Sequence, residues 1–158
     1  MWLPSFRTAF GLCLFAVLAA CTITPVHDRQ GAAGPQIALR YAEPATRLEQ
    51  VFYQELSLHL PESRDTLAPL LTVSLSTANQ RIGESRVASP VVERQVIVQA
   101  HYRLERDGEL IASGTRSATA GFQAVGQVIA DDEALANAQE RAVRAAAQTV
   151  RQALYALP

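Results

Sequence analysis

Apolar and polar side chains alternate along three stretches of the chain, which is the pattern of a strand with one buried face. The alternation predicts strands at residues 36–41, 71–76 and 95–104. The last of these is the clearest, and it is followed by Asp107-Gly108, a pair typical of a two-residue hairpin turn. A return strand is therefore expected from about residue 109 to 121, weakened by Gly114. Between the second and third strands, residues 79–90 are interpreted as a polar connection that carries arginines.

Two further stretches have the three- and four-residue spacing of a helix with one apolar face. Thr46 and Glu49 have the spacing of a capping box, and Pro61 follows the last apolar position, so the first helix is predicted to span about fifteen residues. Asp131, Asp132 and Glu133 place negative charge at the start of a second helix of about 25 residues. The apolar positions of this second helix are mostly alanine, which suits close packing on a sheet.

The predicted order of elements is β-α-β-β-β-α. Two helices that each have one apolar face need a flat surface on which to bury it, and the strands can provide one. The fold class is therefore predicted to be α+β, with two helices packed on one face of a roughly four-stranded mixed sheet.

The N-terminal residues have the layout of an export signal: Arg7, an apolar run of about ten residues, and then small residues. The run is shorter than the ~20 residues of a membrane-spanning helix. It ends in Leu18-Ala19-Ala20-Cys21, which resembles the bacterial lipobox. We expect residues 1–20 to be removed, residues 21–35 to form a lipidated N-terminus and tether, and residues 36–158 to form one domain. An ordinary signal peptide with a coincidental cysteine is the alternative.

If Cys21 is lipidated, it carries a covalent diacylglycerol and an N-acyl chain, which together give stable membrane anchoring. Thr22, a non-acidic residue after the cysteine, favours the outer membrane. Cys13 lies in the removed segment, so no disulfide is expected. The basic residues are 14 arginines and no lysine, against 15 acidic residues, and this balance argues against a nucleic-acid binder.

The residues show no catalytic constellation, so the protein is predicted not to be an enzyme and to need no cofactor or metal. His27, His59 and His101 lack the spacing of a zinc site. The acidic residues 131–133 are better explained by the start of a helix than by a cation site. Neither a nucleophile elbow nor a glycine-rich phosphate loop is present in the sequence.

Arg81, Arg86 and Arg94 lie within fourteen residues of one another. Guanidinium groups bind phosphate bidentately, so these three are candidate contacts for a phosphorylated lipid head group. The alternative is a solvated edge whose charge is neutralised by Glu84 and Glu93.

Several segments together resemble the LPS-assembly lipoprotein LptE family, in its alphaproteobacterial form. They are residues 21–26, 46–60 and 70–76; residues 101–104 with Gly108 and Ser113-Gly114; and residues 131–134 leading into 138–157. The resemblance covers essentially the whole chain after Ala20.

The resemblance implies an outer-membrane lipoprotein, anchored on the periplasmic side, that plugs the LptD β-barrel and assists its assembly. It also implies binding of lipopolysaccharide during transport to the cell surface, and the three arginines are then candidate contacts for its phosphate groups. Two alternatives remain open: an auxiliary lipoprotein of an ABC-type lipid-transport system, and a hydrolase acting on envelope polymers.

Overall fold

Two helices and a four-stranded mixed sheet, in the order β-α-β-β-β-α, make up the part of the chain that the computed structural model describes, residues 37–82 and 91–157. The elements are β1 Arg40–Tyr41, α1 Arg47–Ser57, β2 Leu70–Arg81, β3 Val92–Arg106, β4 Glu109–Ala124 and α2 Val128–Tyr155. The predicted α+β fold class is confirmed. Cys21, His27 and Arg86 lie outside the described residues.

The strands lie in the sheet in the order β1-β2-β3-β4, with β1 parallel to β2 and the other pairs antiparallel. β1 is shorter than the strand predicted at residues 36–41. Leu39, just before it, is fully buried and makes an isolated bridge with Glu62 in the loop after α1. The segment therefore divides its pairing between that loop and β2, and only two residues join the sheet.

β2 is longer than its apolar pattern indicates, and the prediction that Asn79 begins a loop is wrong. The strand continues through Arg81, and its last residues pair in register with β3, Asn79 with Val96 and Arg81 with Arg94. Side chains on both faces are exposed from Ser76 onward. β2 thus continues to pair with β3 beyond the point where its side chains are buried. An exposed strand needs no alternation of apolar and polar residues, so the sequence pattern does not show this part of β2.

The predicted hairpin turn is present between β3 and β4. Asp107 and Gly108 both have positive φ, 52° and 81°, as a type I′ turn requires. Beyond the turn the register shifts, because Glu105 pairs with Leu110 while Leu104 pairs with Ala112. One extra residue therefore forms a β-bulge in β4.

Both helices begin with the acidic contacts that the sequence indicates. In α1 the Thr46 side chain accepts from the Glu49 N–H, and the Glu49 carboxylate accepts from the Thr46 N–H, so the capping box is confirmed. The helix ends at Ser57 rather than near Leu60, which stays buried in the following turn. α2 begins three residues before Asp131, and the Asp131 carboxylate accepts from the N–H groups of the two residues Val125 and Gly126.

The core lies between the helices and one face of the sheet. α2 contributes seven buried residues, of which four are alanines: Ala138, Ala142, Val143, Ala146, Ala147, Val150 and Leu154. Across from them β3 buries Val96, Val98, Ala100, Tyr102 and Leu104. Small side chains on the helix let its backbone approach the sheet closely. Neither helix among the described residues is long and apolar enough to cross a membrane.

An ion-pair cluster joins the two helices at the surface. The Glu140 carboxylate accepts from Arg47 of α1 at 2.8 Å and from Arg144 of α2 at 3.0 Å. The second contact joins residues four apart within α2, and the first depends on the packing of the two helices. The hydrogen bond from Arg47, with the charges of both arginines, lowers the pKa of Glu140 below its usual value.

Candidate functional site

The structure brings Arg81 and Arg94 together on adjacent strands. They are register partners of β2 and β3, thirteen residues apart in the chain. The Ile82 N–H donates to the Glu93 carbonyl at 2.9 Å. Since hydrogen-bonded and non-hydrogen-bonded pairs alternate in an antiparallel ladder, Arg81 and Arg94 form a non-hydrogen-bonded pair, whose Cα atoms lie only about 4.5 Å apart.

Both arginines lie on the face of the sheet that carries the helices. Arg94 shares its parity along β3 with the buried Val96 and Val98, and Arg81 shares its parity along β2 with the buried Leu71 and Val73. Arg81 is exposed and Arg94 is half-buried. Two like charges directly opposite each other in a sheet destabilise it unless something neutralises them.

Neither arginine has an acidic partner among the described residues. The ion pairs found there involve Arg47, Arg103 and Arg144. Glu93 is next to Arg94 in sequence, so its side chain points to the opposite face of the sheet. The Arg94 Nε is buried and has no hydrogen-bond partner. Glu93 therefore does not neutralise the pair, and Glu84 lies outside the described residues.

Exposed apolar side chains lie at the same end of the sheet as the arginine pair, and the sequence patterns did not predict them. The five residues are Ile82, Val91, Val125, Val128 and Ile129, with exposed fractions from 38% to 86%. They lie where β2 ends, β3 begins, β4 ends and α2 begins, which the strand register places at one end of the sheet. We call these five residues with Arg81 and Arg94 the basic–apolar end. No periodic signal marks the apolar members because they belong to different elements.

The opposite face of the sheet, which we call the polar face, has an uncharged centre. Its rows across β2, β3 and β4 are Ser74–His101–Thr115, Ser76–Gln99–Ser117 and Ala78–Ile97–Thr119. Most of these side chains are exposed, since both helices pack on the other face. His101 is hydrogen-bonded to Thr115 at 2.8 Å.

Other candidate chemistry stays dispersed over the described residues. His59 is exposed after α1, far along the chain from His101 on the polar face. Within residues 37–82 and 91–157, no three histidine, cysteine or acidic side chains are grouped so that they could hold a metal ion. Asp131 caps the segment entering α2, as described above.

No protein-family model matches the chain, and no curated protein matches it in sequence. Solved structures do share its fold. A candidate lipoprotein from Caulobacter crescentus CB15 is 18% identical with a TM-score of 0.54, covering 76% of this chain and 89% of its own. A minor lipoprotein from Acinetobacter baumannii is 18% identical with a TM-score of 0.56, covering 75% and 89%. The rare lipoprotein B from Shewanella oneidensis is 12% identical with a TM-score of 0.54, covering 74% and 91%. At these identities the likeness establishes a common fold.

Proposed function

We propose that this protein is a non-enzymatic lipoprotein of the LptE type, anchored through Cys21 on the periplasmic side of the outer membrane. In this role it plugs the LptD β-barrel, assists its assembly and binds lipopolysaccharide. Two independent features support a lipoprotein: the lipobox-like Leu18-Ala19-Ala20-Cys21, and a fold shared with proteins that are themselves described as lipoproteins.

The observation that carries lipopolysaccharide binding is the composition of the basic–apolar end. Arg81 and Arg94 are adjacent, and they have no carboxylate partner among the described residues. A phosphate between them would relieve their repulsion and accept bidentate hydrogen bonds from either guanidinium. The exposed Val128 and Ile129 at the same end offer apolar surface for acyl chains. Phosphate next to acyl chains is the chemistry of the lipid A portion of lipopolysaccharide.

The polar face supports the role as a plug. A protein in the lumen of a large barrel meets water and polar side chains, because the interior of such barrels is polar. An exposed sheet face that has mainly serine, threonine and glutamine, and no arginine or acidic residue, in its three central rows can lie against such a wall with few unpaired charges to bury.

Charge reversal tests lipopolysaccharide binding. We expect Arg81→Glu and Arg94→Glu each to weaken binding of purified lipopolysaccharide about tenfold or more, since a charge-assisted hydrogen bond contributes about 1.5–3 kcal/mol. Arg64→Glu is the matched control, because Arg64 is exposed in a loop before β2 and outside the basic–apolar end. Binding is measured by fluorescence titration in detergent, with thermal unfolding run on every variant. Unchanged binding in both arginine variants would remove this site.

Fatty-acid labelling of cells tests the anchor, and affinity purification from solubilised membranes tests the partner. Fatty-acid labelling should mark the wild type and not Cys21→Ala; label that persists in the variant would contradict the assignment of the anchor. Affinity purification from solubilised outer membranes should recover a large β-barrel protein. Recovery of an inner-membrane transporter subunit instead would support the auxiliary lipoprotein of an ABC-type system.

A further inference from the structure

The two long edges of the sheet are protected very differently. β1 covers only the first two residues of β2, Leu70 and Leu71, so most of the outer edge of β2 has no neighbouring strand among the described residues. β4 forms the other edge along its whole length. An edge presents a row of unpaired N–H and C=O groups, and proteins commonly block that row with charged side chains.

The hydrogen bonds of β2 show which backbone groups face outward. The Pro69 and Leu71 carbonyls accept from the Arg40 and Ala42 N–H groups, at 2.8 and 3.0 Å. The next outward group, the Val73 N–H, donates to the buried Tyr53 hydroxyl at 2.9 Å. In an antiparallel pair every second residue points its backbone groups away from the partner strand.

The outward row therefore continues through the odd-numbered residues Leu75, Thr77, Asn79 and Arg81. Among the described residues, nothing hydrogen-bonds to the outward backbone groups of these four. Tyr53 is thus the last cap on this edge, and the open segment Leu75–Arg81 begins directly after it.

The β4 edge has caps at corresponding places. The Gly121 carbonyl accepts from Arg141 of α2 at 2.8 Å, and the Thr115 carbonyl accepts from Arg116 at 3.1 Å. Both carbonyls belong to odd-numbered residues, which face away from β3 by the same alternation. Guanidinium groups therefore occupy two outward carbonyls of β4, whereas no side chain among the described residues does so along the open segment of β2.

The chemistry of the open segment restricts what can pair with it. From Leu70 to Gln80 the strand has no charged side chain, no proline and no bulge. At its end Arg81 lies beside Arg94, and both lack an acidic partner in the part of the chain that is described. An occupant that matches this surface is uncharged along most of its length and carries a carboxylate at the end next to Arg81.

We infer that the open segment of β2, Leu75–Arg81, accepts an added β-strand from a partner protein, and that this strand is uncharged apart from a carboxylate that meets Arg81 and Arg94. Strand addition of this kind gains its affinity from main-chain hydrogen bonds. A second copy of the chain fits less well. Its own β2, Leu70–Arg81, has no acidic side chain that could meet Arg81 and Arg94 when two such edges pair. The inference does not depend on the proposed lipopolysaccharide binding.

Amide hydrogen exchange of the full chain in detergent micelles tests the inference. The probe is an acetylated ten-residue peptide of alternating threonine and valine with one glutamate placed to meet Arg81. At tenfold excess over its dissociation constant, exchange at the Leu75, Thr77 and Asn79 amides should slow about tenfold. Exchange at Thr119, an outward amide of β4, should not change. A peptide with lysine in place of glutamate should bind at least tenfold more weakly.

Matched proline variants locate the binding edge. Thr77→Pro removes an outward N–H without disturbing the ladder to β3, because proline is tolerated where its missing N–H faces away from the sheet. It should weaken peptide binding about tenfold or more, whereas Thr119→Pro at the equivalent position of β4 should bind normally. Asn79→Pro, nearer the strand end, replaces Thr77→Pro if that variant does not fold.

Three results would overturn the inference. The first is that the peptide slows exchange of β4 amides, or of no amides at all. The second is that the lysine peptide binds as tightly as the glutamate peptide. The third is that the β2 amides become protected when the protein concentration is raised without peptide, which would identify a second copy as the occupant. If the wild-type protein bound the peptide normally but did not bind lipopolysaccharide, only the proposed function would be contradicted.

Discussion

Gly114 lies in the interior of β4 because of one residue on the neighbouring strand. It is the register partner of Tyr102, and a Cβ at this position would lie 2.8 Å from the Tyr102 hydroxyl oxygen and 3.0 Å from the ring. Tyr102 is itself buried in the core. The sequence indicates only that Gly114 weakens the strand. In the structure, the ring of Tyr102 occupies the space that a side chain at position 114 would need.

Gly114→Ala should therefore lower the free energy of unfolding by about 1–3 kcal/mol, the usual cost of overpacking. Gly121→Ala is the control, because its Cβ would meet only the Arg94 carbonyl oxygen at 3.8 Å, an ordinary contact. Urea unfolding measures both. Tyr102→Phe in the Gly114→Ala background removes the closest atom and should recover part of the loss. Equal stability of the two alanine variants would contradict this explanation.

At the scale of elements, the local signal placed the start of α1 better than its end. The capping box of α1 is complete, since side chain and backbone of Thr46 and Glu49 exchange hydrogen bonds over three residues. The turn after α1 is held by a contact between residues distant in the chain: the Tyr41 hydroxyl donates to the Leu60 carbonyl. Burial raises the pKa of Tyr41 well above its usual value, so this donor keeps its proton.

Thr46→Ala should destabilise the protein by about 1 kcal/mol, because the Glu49 N–H loses its acceptor at the first turn. Ser57→Ala, at the other end of the same helix, is the control: its exposed hydroxyl only donates to the Gln54 carbonyl. Thermal unfolding followed by circular dichroism compares the two. A shift in the melting temperature as large for Ser57→Ala as for Thr46→Ala would argue against a specific capping effect.

At the scale of the whole molecule, Glu140 joins the two helices across the surface. Its carboxylate contacts Arg47 and Arg144, so deprotonated Glu140 is favoured in the folded state and its pKa is lowered. A carboxyl group whose pKa is lower in the folded than in the unfolded state stabilises the fold fully at pH values above its unfolded-state pKa. That stabilisation is lost as the pH falls through the folded pKa.

Glu140→Gln should therefore reduce the free energy of unfolding at neutral pH by about 0.5–1 kcal/mol, the size typical of a surface ion pair. The difference from wild type should shrink as the pH falls from about 5, near and below the unfolded pKa of glutamate. Glu109→Gln is the matched control, because Glu109 is exposed and takes part in none of the ion pairs found among the described residues. Urea unfolding at a series of pH values measures the difference; a constant difference between pH 7 and pH 3 would exclude the ionic contribution.

The candidate site depends on features at two scales. The sequence places Arg81 and Arg94 in one region and predicts that their guanidinium groups can bind phosphate. Their direct opposition depends on the register of β2 against β3 across residues 83–90, and register follows from pairing along both strands. The apolar members of the basic–apolar end come together only because three strands and α2 meet there.

The elements of this protein follow from its sequence because their signals act over two to four residues: alternation for strands, helical spacing for the apolar faces, Asp107-Gly108 for the turn, and Thr46 with Glu49 for the cap. Tertiary structure alone decided the length of β2, the pairing of Arg81 with Arg94 and the open edge beside them. Each of these depends on contacts between residues distant in the chain, and the exposed half of β2 carries no buried face whose pattern would reveal it. Because this half of β2 is not buried, its sequence has no pattern that predicts a strand, and for the same reason its edge is accessible to a partner.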